Sequence, residues 1–285
     1  MSKCYRSELV GVFGCPVDEN PTGVMEEAAF RAKGLDYRYI TMKVEKDDLA
    51  DAMKALKAMN MRGINLTIPH KVNAVQYVDK LSPAAEIIGA INVIVNDNGV
   101  LTGDNSDGKG FMKSLTDRGI LVAGKTMTIL GAGGAARAIS VEAAMQGAAK
   151  IRIINGSSRG EELSRLINEK TPAEAEYVSW TPTIKIPEDT DILVNATPLG
   201  LFPNVDRKPD IDYSTVNEKM VVCDVVFNDP NTLFLQEAAR RGAETVKGLG
   251  MLANQGAINF ELWTGVEAPL DVMTETLRTE FGLDG

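Results

Sequence analysis

Cysteine and histidine are scarce in this chain, and that scarcity argues against two kinds of site. The 285 residues include three cysteines and one histidine. The cysteines, Cys4, Cys15 and Cys223, are odd in number and scattered, without a C-x-x-C pair or metal-ligand spacing. A disulfide framework or a zinc site would need a different pattern. We therefore expect reduced thiols and no metal site.

Positive charge and long apolar runs are scarce too. The 30 lysines and arginines face 39 acidic residues, for a net charge of -9, whereas nucleic-acid-binding proteins usually present a basic surface. No apolar run approaches the roughly 20 residues of a membrane helix, and the first residues lack the apolar core of a signal peptide. We expect a cytoplasmic protein with no nucleic-acid or membrane partner. The sequence leaves both a monomer and a homodimer open.

What the chain does contain is a glycine-rich turn in the stretch TMTILGAGGAARAI, residues 126–139. The apolar run before the turn predicts a buried strand, and the residues after it favour a helix. Gly131, Gly133 and Ala136 form G-x-G-x-x-A, which supplies a tight bend, room for a pyrophosphate and close packing of helix on strand. The anion would lie on the amides of the helix N-terminus. The alternative is an ordinary tight turn without a ligand.

The hydrophobic pattern predicts an α/β protein with two regions of strands and helices. In the first region we predict strands at 8–13, 37–44 and 62–68, helices at 24–33 and 49–59, and a hairpin at Asp97-Asn98-Gly99. From residue 125 onward we predict strands at 127–130, 151–154, 177–179, 192–194, 220–224 and 244–246, mostly separated by helices, with surface loops at 181–191 and 203–209. Such regular alternation is typical of a doubly wound parallel sheet.

The residues after the second of these later strands bear on which dinucleotide binds. In such sites an acid at this place accepts hydrogen bonds from a free ribose 2′-hydroxyl. Here the chain reads Asn155-Gly156-Ser157-Ser158-Arg159, with no carboxylate before Glu161. An arginine and two hydroxyls suit a 2′-phosphate instead, so we predict NADP, with NAD possible. Alternatively, Arg159 is a solvated residue at a helix start.

Candidate residues for proton transfer lie upstream of the glycine-rich turn. Hydride transfer to or from a nicotinamide needs a group that handles the proton of the reacting oxygen. Lys71 follows a strand end rich in small polar groups, and Asp107 lies in the loop Gly103–Gly108. The only histidine, His70, is a weaker candidate for a base, because a lone histidine is more often structural.

The chain resembles shikimate dehydrogenases and their quinate dehydrogenase relatives over essentially its whole length. Six motifs in order carry the resemblance: G-x-N-L-T-I-P-x-K at 63–71, G-A-I-N at 89–92, G-D-N-S-D-G at 103–108, G-A-G-G-A-A-R at 131–137, N-A-T-P-x-G at 195–200 and G-L-G-M-L-x-x-Q-G-A at 248–257. The resemblance implies an NAD(P)-dependent oxidoreductase of aromatic amino acid biosynthesis, acting on a small cyclic polyol. The expected reaction is the reversible, NADP-dependent reduction of 3-dehydroshikimate to shikimate.

The same resemblance implies a division of the chain and a set of site residues. The expected domains are a substrate-binding and catalytic α/β domain at 1–107, a Rossmann-type NADP domain at 108–249, and C-terminal helices at 250–285 that pack back on the first domain. Lys71 and Asp107 would form the catalytic pair. The remaining implied residues are Asn20, Thr22, Thr67, Asn92 and Gln255 for the substrate, and Gly131, Ala132, Gly133, Gly134, Ala135, Asn155, Ser157, Arg159, Thr197, Val225 and Gly248 for the dinucleotide.

This chain departs from the family pattern near its N-terminus. The family normally holds the substrate carboxylate with two serines in G-x-P-x-x-x-S-x-S-P, and here Asn20 and Thr22 stand at those positions. Either residue can donate a hydrogen bond. The nearby acids Asp18, Glu19, Glu26 and Glu27 would oppose an anion if they faced it. A second departure is Gly156, where members that bind NADP usually have the arginine of N-R-T.

Three hypotheses follow. The first is a shikimate dehydrogenase. The second is a paralogue that oxidises quinate, an amino analogue or another cyclic polyol, which the acidic run favours. The third, from another class, is a non-catalytic nucleotide-sensing protein, and the joint presence of Lys71, Asp107 and Gln255 argues against it.

Overall fold

The computed structural model describes residues 5–229 and 231–283. The chain divides into two compact units, one built from the residues up to Ser106 and from Gln255 onward, the other from Asp107–Asn254. The domain boundaries expected from the resemblance stay predictions. Of the three cysteines, Cys15 and Cys223 are free thiols, and Cys4 lies outside the described residues.

The first unit is built on a mixed sheet. Its elements up to residue 104 are β1 (Glu8–Gly14), α1 (Thr22–Ala32), β2 (Tyr37–Lys43), α2 (Leu49–Ala58), β3 (Gly63–Leu66), α3 (His70–Asn73), β4 (Lys80–Leu81), α4 (Pro83–Ile88), β5 (Val93–Asp97) and β6 (Val100–Asp104). The strand order is β2-β1-β3-β5-β6-β4. β1 pairs in parallel with β2 and β3, and β5 is antiparallel to β3 and β6.

Local sequence explains several of these elements. Leu49, Met53 and Leu56 recur at helical spacing and are the buried residues of α2. The predicted hairpin joins β5 to β6, and Asn98 and Gly99 both adopt positive φ, of 53° and 90°. Positive φ at both central residues is what a tight two-residue hairpin needs, and asparagine and glycine tolerate it best.

The second unit is a doubly wound parallel sheet. Its elements are α5 (Ser106–Thr116, whose first residue belongs to the first unit), β7 (Thr126–Leu130), α6 (Gly134–Met145), β8 (Lys150–Asn155), α7 (Arg159–Lys170), β9 (Glu174–Ser179), β10 (Ile184–Lys185), β11 (Ile192–Asn195), β12 (Ile211–Asp212), β13 (Val221–Asp224), α8 (Leu233–Ala239), β14 (Glu244–Val246) and α9 (Leu249–Thr264, whose residues from Gln255 belong to the first unit). The main sheet has the order β14-β13-β11-β7-β8-β9, and every pair in it is parallel. The six predicted strands are all present.

One of the two expected loops, 203–209, has no strand or helix, and the other, 181–191, is only partly a loop. The short strands β10 and β12 pair in parallel as a separate two-stranded sheet, so the 181–191 connection contains a strand that we did not predict. Strands of two residues carry too little periodicity for a pattern to reveal them.

Short 3-10 turns lie at Lys46–Asp48, Ala74–Tyr77 and Tyr213–Thr215.

The C-terminal residues from Gln255 complete the first unit, with α10 (Leu270–Glu280) as their last helix. Phe260 of α9 stacks on Phe30 of α1 with ring centroids 5.3 Å apart. The indole nitrogen of Trp263 donates to the carbonyl oxygen of Ile94 at 3.1 Å. These contacts confirm that C-terminal helices return to the first region of the chain.

Candidate active site

The turn after β7 has the geometry that a bound pyrophosphate requires. Gly131 has a φ of +108°, and a Cβ atom there would lie 2.9 Å from the carbonyl oxygen of Ala196, so a larger residue would both strain the backbone and clash. A Cβ at Gly133 or Gly134 would meet no atom within 4 Å. The N-terminus of α6 begins at Gly134 and has no side-chain cap. The first turn of α6 therefore has no capping side chain, which leaves its amides for an anionic ligand.

The other predicted dinucleotide residues lie at the carboxyl ends of neighbouring strands of the same sheet. Asn155 ends β8, whereas Thr197, Val225 and Gly248 closely follow β11, β13 and β14. Chain order reverses between β7 and β11, which are adjacent. In open parallel sheets, ligands bind at the carboxyl ends of strands beside such a reversal. The second unit therefore brings this set together where a dinucleotide would bind.

Gly248 is required by close backbone packing. A Cβ at Gly248 would lie 2.3 Å from the carbonyl oxygen of Val226. The turns after β13 and β14 can approach each other only with glycine at this place. Thr197 is fixed by a short-range turn, because its hydroxyl donates to Oδ1 of Asn195 at 2.7 Å.

The loop after β8 is where a 2′-phosphate would be recognised. Nδ2 of Asn155 donates to Oγ of Ser157 at 2.9 Å and holds the loop in place. Ser157 and Arg159 are exposed at the start of α7. They are therefore accessible to a ligand, and their predicted role stays a prediction.

A cavity of about 660 Å³ opens beside this loop, and sequence reasoning did not find it. Its lining residues are Gly156, Trp180, Leu199, Asp206, Arg207, Lys208 and Asp210. Two adjacent cations and an aromatic ring would suit the adenosine end of a dinucleotide, although the two aspartates offset the charge. Nζ of Lys208 is already paired with Glu237 at 2.7 Å. The available signal was the Arg207-Lys208 pair, in a loop that we treated as a surface connection.

Asp224, at the end of β13, is a buried acid that the sequence did not single out. It is 1% exposed and accepts from the hydroxyl of Thr232 at 2.7 Å, the amide of Val226 at 3.0 Å and Nδ2 of Asn195 at 3.0 Å. Burial raises the pKa of Asp224 to about 6, and the three donors oppose that rise. It fixes the ends of β11 and β13.

The predicted catalytic residues lie in the two different units. Lys71 is half-buried in the four-residue helix α3 of the first unit. Asp107 is half-buried in the first turn of α5 and belongs to the second unit. The neighbouring His70 is fully buried, and its Nε2 lies 2.8 Å from the carbonyl oxygen of Val44. Because a carbonyl only accepts, Nε2 carries a proton there and His70 has a structural role.

Within the first unit, hydrogen bonds link the phenol of Tyr39 to Asn92, a predicted substrate residue. The phenol of Tyr39 donates to Oδ1 of Asn65 at 2.9 Å. Nδ2 of Asn65 donates to the carbonyl oxygen of Asn92 at 3.1 Å. Oδ1 of Asn92 accepts from the amide of Ser106 at 2.7 Å. Sequence reasoning assigned no role to Tyr39, which nothing distinguishes from an ordinary strand residue, or to Asn65, although Asn65 is the asparagine of the motif at 63–71.

Of the remaining predicted substrate residues, Asn20 and Thr67 lie next to element ends, whereas Gln255 lies within a helix. Oδ1 of Asn20 accepts from the amide of Thr22 at 3.0 Å, just before α1. Thr67 is half-buried directly after β3, and its amide donates to the carbonyl oxygen of Phe13 at 3.0 Å. Oε1 of Gln255, in α9, accepts from Nδ2 of Asn259 at 3.2 Å. All five predicted substrate residues therefore lie in the first unit, and their contact with a substrate stays a prediction.

The acids near the N-terminus do not form one charged face. Asp18 and Glu19 are exposed. Glu27 accepts from the amide of Tyr39 at 2.6 Å. Glu26 is 0% exposed, and neither of its carboxyl oxygens has a hydrogen-bond partner. Burial raises the pKa of Glu26 well above its ordinary value, which favours the protonated form of this acid.

No helix between residues 5 and 283, Pro230 left aside, is long and apolar enough to cross a membrane. Over the same range, no three histidine, cysteine or acidic side chains are grouped so that they could hold a metal ion.

Comparison with known proteins assigns the family. The profile of the shikimate dehydrogenase substrate binding domain matches residues 12–94, and that of the shikimate 5′-dehydrogenase C-terminal domain matches residues 248–278. The NADP(+) shikimate dehydrogenase of Desulforamulus reducens is 41% identical over 279 residues, which cover 96% of either chain. The chain belongs to the shikimate dehydrogenase family. The predicted family, its α/β fold and its class, an NAD(P)-dependent oxidoreductase, are thereby confirmed.

Two solved structures show how the family fold is used elsewhere. The 5-ketofructose reductase of Gluconobacter sp. strain CHM43 is 44% identical and superposes with a TM-score of 0.94, covering 97% of this chain and 100% of its own. Shikimate 5-dehydrogenase from Listeria monocytogenes, in complex with shikimate and NAD, is 36% identical with a TM-score of 0.90. The match covers 97% of this chain and 99% of the Listeria chain. The same shikimate dehydrogenase fold is therefore found in proteins named for a keto sugar and for a cyclic acid.

Proposed function

We propose that this chain catalyses the reversible, NADP-dependent reduction of a polyhydroxylated ketone to a secondary alcohol by shikimate dehydrogenase chemistry. The pair that the family predicts is 3-dehydroshikimate and shikimate. The observation that carries the proposal is the joint presence of the anion-accepting turn after β7 and the polar substrate residues at the ends of β3 and β5, in a chain 41% identical to an NADP(+) shikimate dehydrogenase. Its cytoplasmic location, its pathway and its oligomeric state stay predictions.

The dinucleotide supplies the hydride, and the protein has to hold and orient it. The turn from Gly131 to Ala135 would take the pyrophosphate, and Asn155 would fix the loop that carries Ser157 and Arg159 at the 2′-phosphate. A family member from Listeria binds NAD, whereas relatives named for NADP are similar over the whole chain. We propose NADP because no acid occupies the loop from Asn155 to Arg159.

Lys71 would handle the proton at the reacting oxygen. As an ammonium it can hydrogen-bond the carbonyl oxygen, stabilise the alkoxide charge that develops on hydride addition, and then donate a proton. Asp107 would hydrogen-bond a substrate hydroxyl. Thr67, Asn92 and Gln255 would bind the other hydroxyl groups.

Replacing Lys71 by methionine tests this role. We expect Lys71→Met to lower kcat by about 10²- to 10⁴-fold, the usual size of a general acid–base contribution, with little change in substrate affinity. The measurement is steady-state NADPH oxidation with 3-dehydroshikimate. Lys80→Met, at an exposed lysine of β4, is the matched control and should keep its turnover. An unchanged kcat in Lys71→Met would remove this residue from the mechanism.

A second candidate substrate is a neutral polyhydroxy ketone. The observation that favours it is the replacement of the family's serine pair by Asn20 and Thr22, together with 44% identity to a 5-ketofructose reductase. A spectrophotometric screen separates the candidates: 3-dehydroshikimate, 3-dehydroquinate and 5-ketofructose are offered with NADPH and NADH. Turnover of none of them, together with tight NADP binding, would favour a nucleotide-sensing protein over an enzyme.

A further inference from the structure

Trp180 connects two segments that line the cavity beside the loop after β8. Its main-chain amide donates to the carbonyl oxygen of Asn155, the last residue of β8, at 3.1 Å. Its indole nitrogen donates to the carbonyl oxygen of Asp210, just before β12, at 3.0 Å. One residue therefore holds the end of β8 and the segment before β12 together. The cavity between them, of about 660 Å³, has the size of a small-molecule site.

Gly156 lines this cavity from the loop after β8 and brings no side chain to it. A Cβ atom at Gly156 would meet no atom within 4 Å, so the space beside this residue is open. In doubly wound parallel sheets, the ribose 2′-oxygen of a bound dinucleotide lies beside the loop after the second strand. A phosphate on that oxygen would therefore face this space.

Arg207 lines the same cavity from the segment between β11 and β12. Its main-chain amide donates to the carbonyl oxygen of Asn204 at 3.3 Å, which holds its backbone. Its side chain is exposed and forms no ion pair or hydrogen bond with residues 5–229 or 231–283. An accessible guanidinium without a protein partner keeps all five of its N–H donors for a ligand.

The neighbouring cation, Lys208, is already paired. Its Nζ lies 2.7 Å from Oε1 of Glu237 and 4.5 Å from the ring centre of Tyr213. Glu237 also pairs with Arg241 at 2.7 Å. Lys208 is therefore part of a charged cluster with α8, and Arg207 is the cation of this segment that a ligand can recruit.

Two acids, Asp206 and Asp210, also line the cavity, and both are exposed. Neither carboxylate forms an ion pair with Arg207 in the described part of the chain. Water screens the charge of exposed acids at a distance. A guanidinium in direct contact with a phosphate, in contrast, forms two parallel charge-assisted hydrogen bonds. The contact with arginine therefore outweighs the repulsion from the acids.

We propose that Arg207 is a specificity-determining residue of the dinucleotide site, which contacts the 2′-phosphate of NADP from the segment between β11 and β12. The phosphate would then lie between Arg207 and the predicted contacts Ser157 and Arg159 of the loop after β8. This rests on the proposed function, in which NADP binds with its adenosine end at that loop.

The test uses two nucleotides that differ only in the 2′-phosphate, adenosine 2′,5′-bisphosphate and AMP. Their affinities for the full chain are measured by isothermal titration calorimetry without substrate. We expect wild type to prefer the bisphosphate. Arg207→Gln should lower that preference about 10- to 100-fold, the size of a hydrogen bond between charged groups, with AMP binding unchanged. Arg165→Gln, at an exposed arginine of α7, is the matched control and should keep the wild-type preference.

Three results would overturn the proposal. If Arg207→Gln keeps the wild-type preference, the loop after β8 recognises the phosphate by itself, and the proposed function stands without Arg207. If both nucleotides weaken equally, Arg207 contacts a part of the nucleotide other than the 2′-phosphate. A wild-type preference for AMP would count against NADP as the dinucleotide as well as against Arg207.

A second variant returns the charge from the other segment. Gly156→Arg places an arginine where a side chain has room, so in the Arg207→Gln background it should restore most of the preference. Because both arginines would bind one phosphate, the gain from Gly156→Arg should be smaller in wild type. Equal gains in both backgrounds would mean that Arg207 and Gly156 do not face one ligand group, against the proposal. Reduction of ketones with NADPH is measured in parallel: its absence, with the binding pattern intact, counts against the proposed function and not against the role of Arg207.

Discussion

Among the described residues, Glu26 and Asp224 are the most deeply buried acids of the first and second unit, and hydrogen bonding differs sharply between them. Asp224, in the second unit, receives three hydrogen bonds. Glu26, in the first unit, receives none. Burial raises the pKa of both, and only Asp224 has donors that oppose the rise. A buried carboxyl with a full set of donors stabilises the turn around it, whereas one without donors costs stability that a different side chain would recover.

The largest expected effect is at Asp224. Asp224→Ala leaves three buried donors unpaired, so we expect a loss of about 3–5 kcal/mol in the free energy of unfolding. The folded state holds the proton of Asp224 up to a pKa of about 6, against 3.8 ordinarily. The wild-type acid therefore contributes most below 3.8 and less as the pH rises through 6, so the cost of the substitution should shrink over that range.

Urea denaturation of wild type and Asp224→Ala measures how the cost of the substitution changes with pH. The pH values lie between 4 and 8, roughly the titration range of an aspartate with a raised pKa. Asp210→Ala, at an exposed acid of the same unit, is the control. A cost that grows with pH would contradict the assigned pKa and would mean that Asp224 is ionised more readily than its surroundings imply.

The effect at Glu26 should have the opposite sign. Glu26→Met keeps the volume and removes the unpaired carboxyl, so we expect stabilisation of about 2 kcal/mol. Because the folded-state pKa of Glu26 lies above the ordinary 4.5, the wild-type chain loses stability as the pH rises above 4.5, and the gain in the variant should grow with pH. The difference in thermal unfolding midpoint between Glu26→Met and wild type, followed across pH, measures this gain in stability. Glu19→Met, at an exposed acid, is the control. A lower midpoint in Glu26→Met would break the contrast between the two acids.

The smallest expected effect is at Thr232, one of the three donors to Asp224. Thr232 donates to Oδ2 of Asp224 at 2.7 Å and caps α8 by accepting from the amide of Leu235 at 3.4 Å. Thr232→Val should cost about 1.5 kcal/mol through the lost cap and donor. It should also raise the pKa of Asp224 further, since that donor lowers it. Thr232→Ser keeps the hydroxyl and should retain both the stability and the pH profile measured for wild type.

The sequence predicted the second unit better than the first because its signals are local. A buried parallel strand, the G-x-G-x-x-A turn and a helix start all lie within 14 residues, and Gly131 and Gly133 are found as the pattern requires. The cavity beside the loop after β8 escaped prediction, since Gly156, Trp180 and Arg207 are far apart in the chain. Only the fold brings such residues together.

In the first unit, the candidate residues could be named from motifs, but not their hydrogen-bond partners. Tyr39 hydrogen-bonds Asn65, and Asn65 hydrogen-bonds Asn92, across β2, β1 and β3, whose order a sequence does not state. The burial of Glu26 was also missed, because the helical pattern places several acids near the start of α1 without saying which one turns inward.

The hydrogen bonds from Tyr39 through Asn65 to Asn92 also have an evolutionary consequence. Their direction originates at the main-chain carbonyl of Asn92, a group that no point mutation alters. A substitution at Tyr39 or Asn65 can therefore break these hydrogen bonds but cannot reverse their direction.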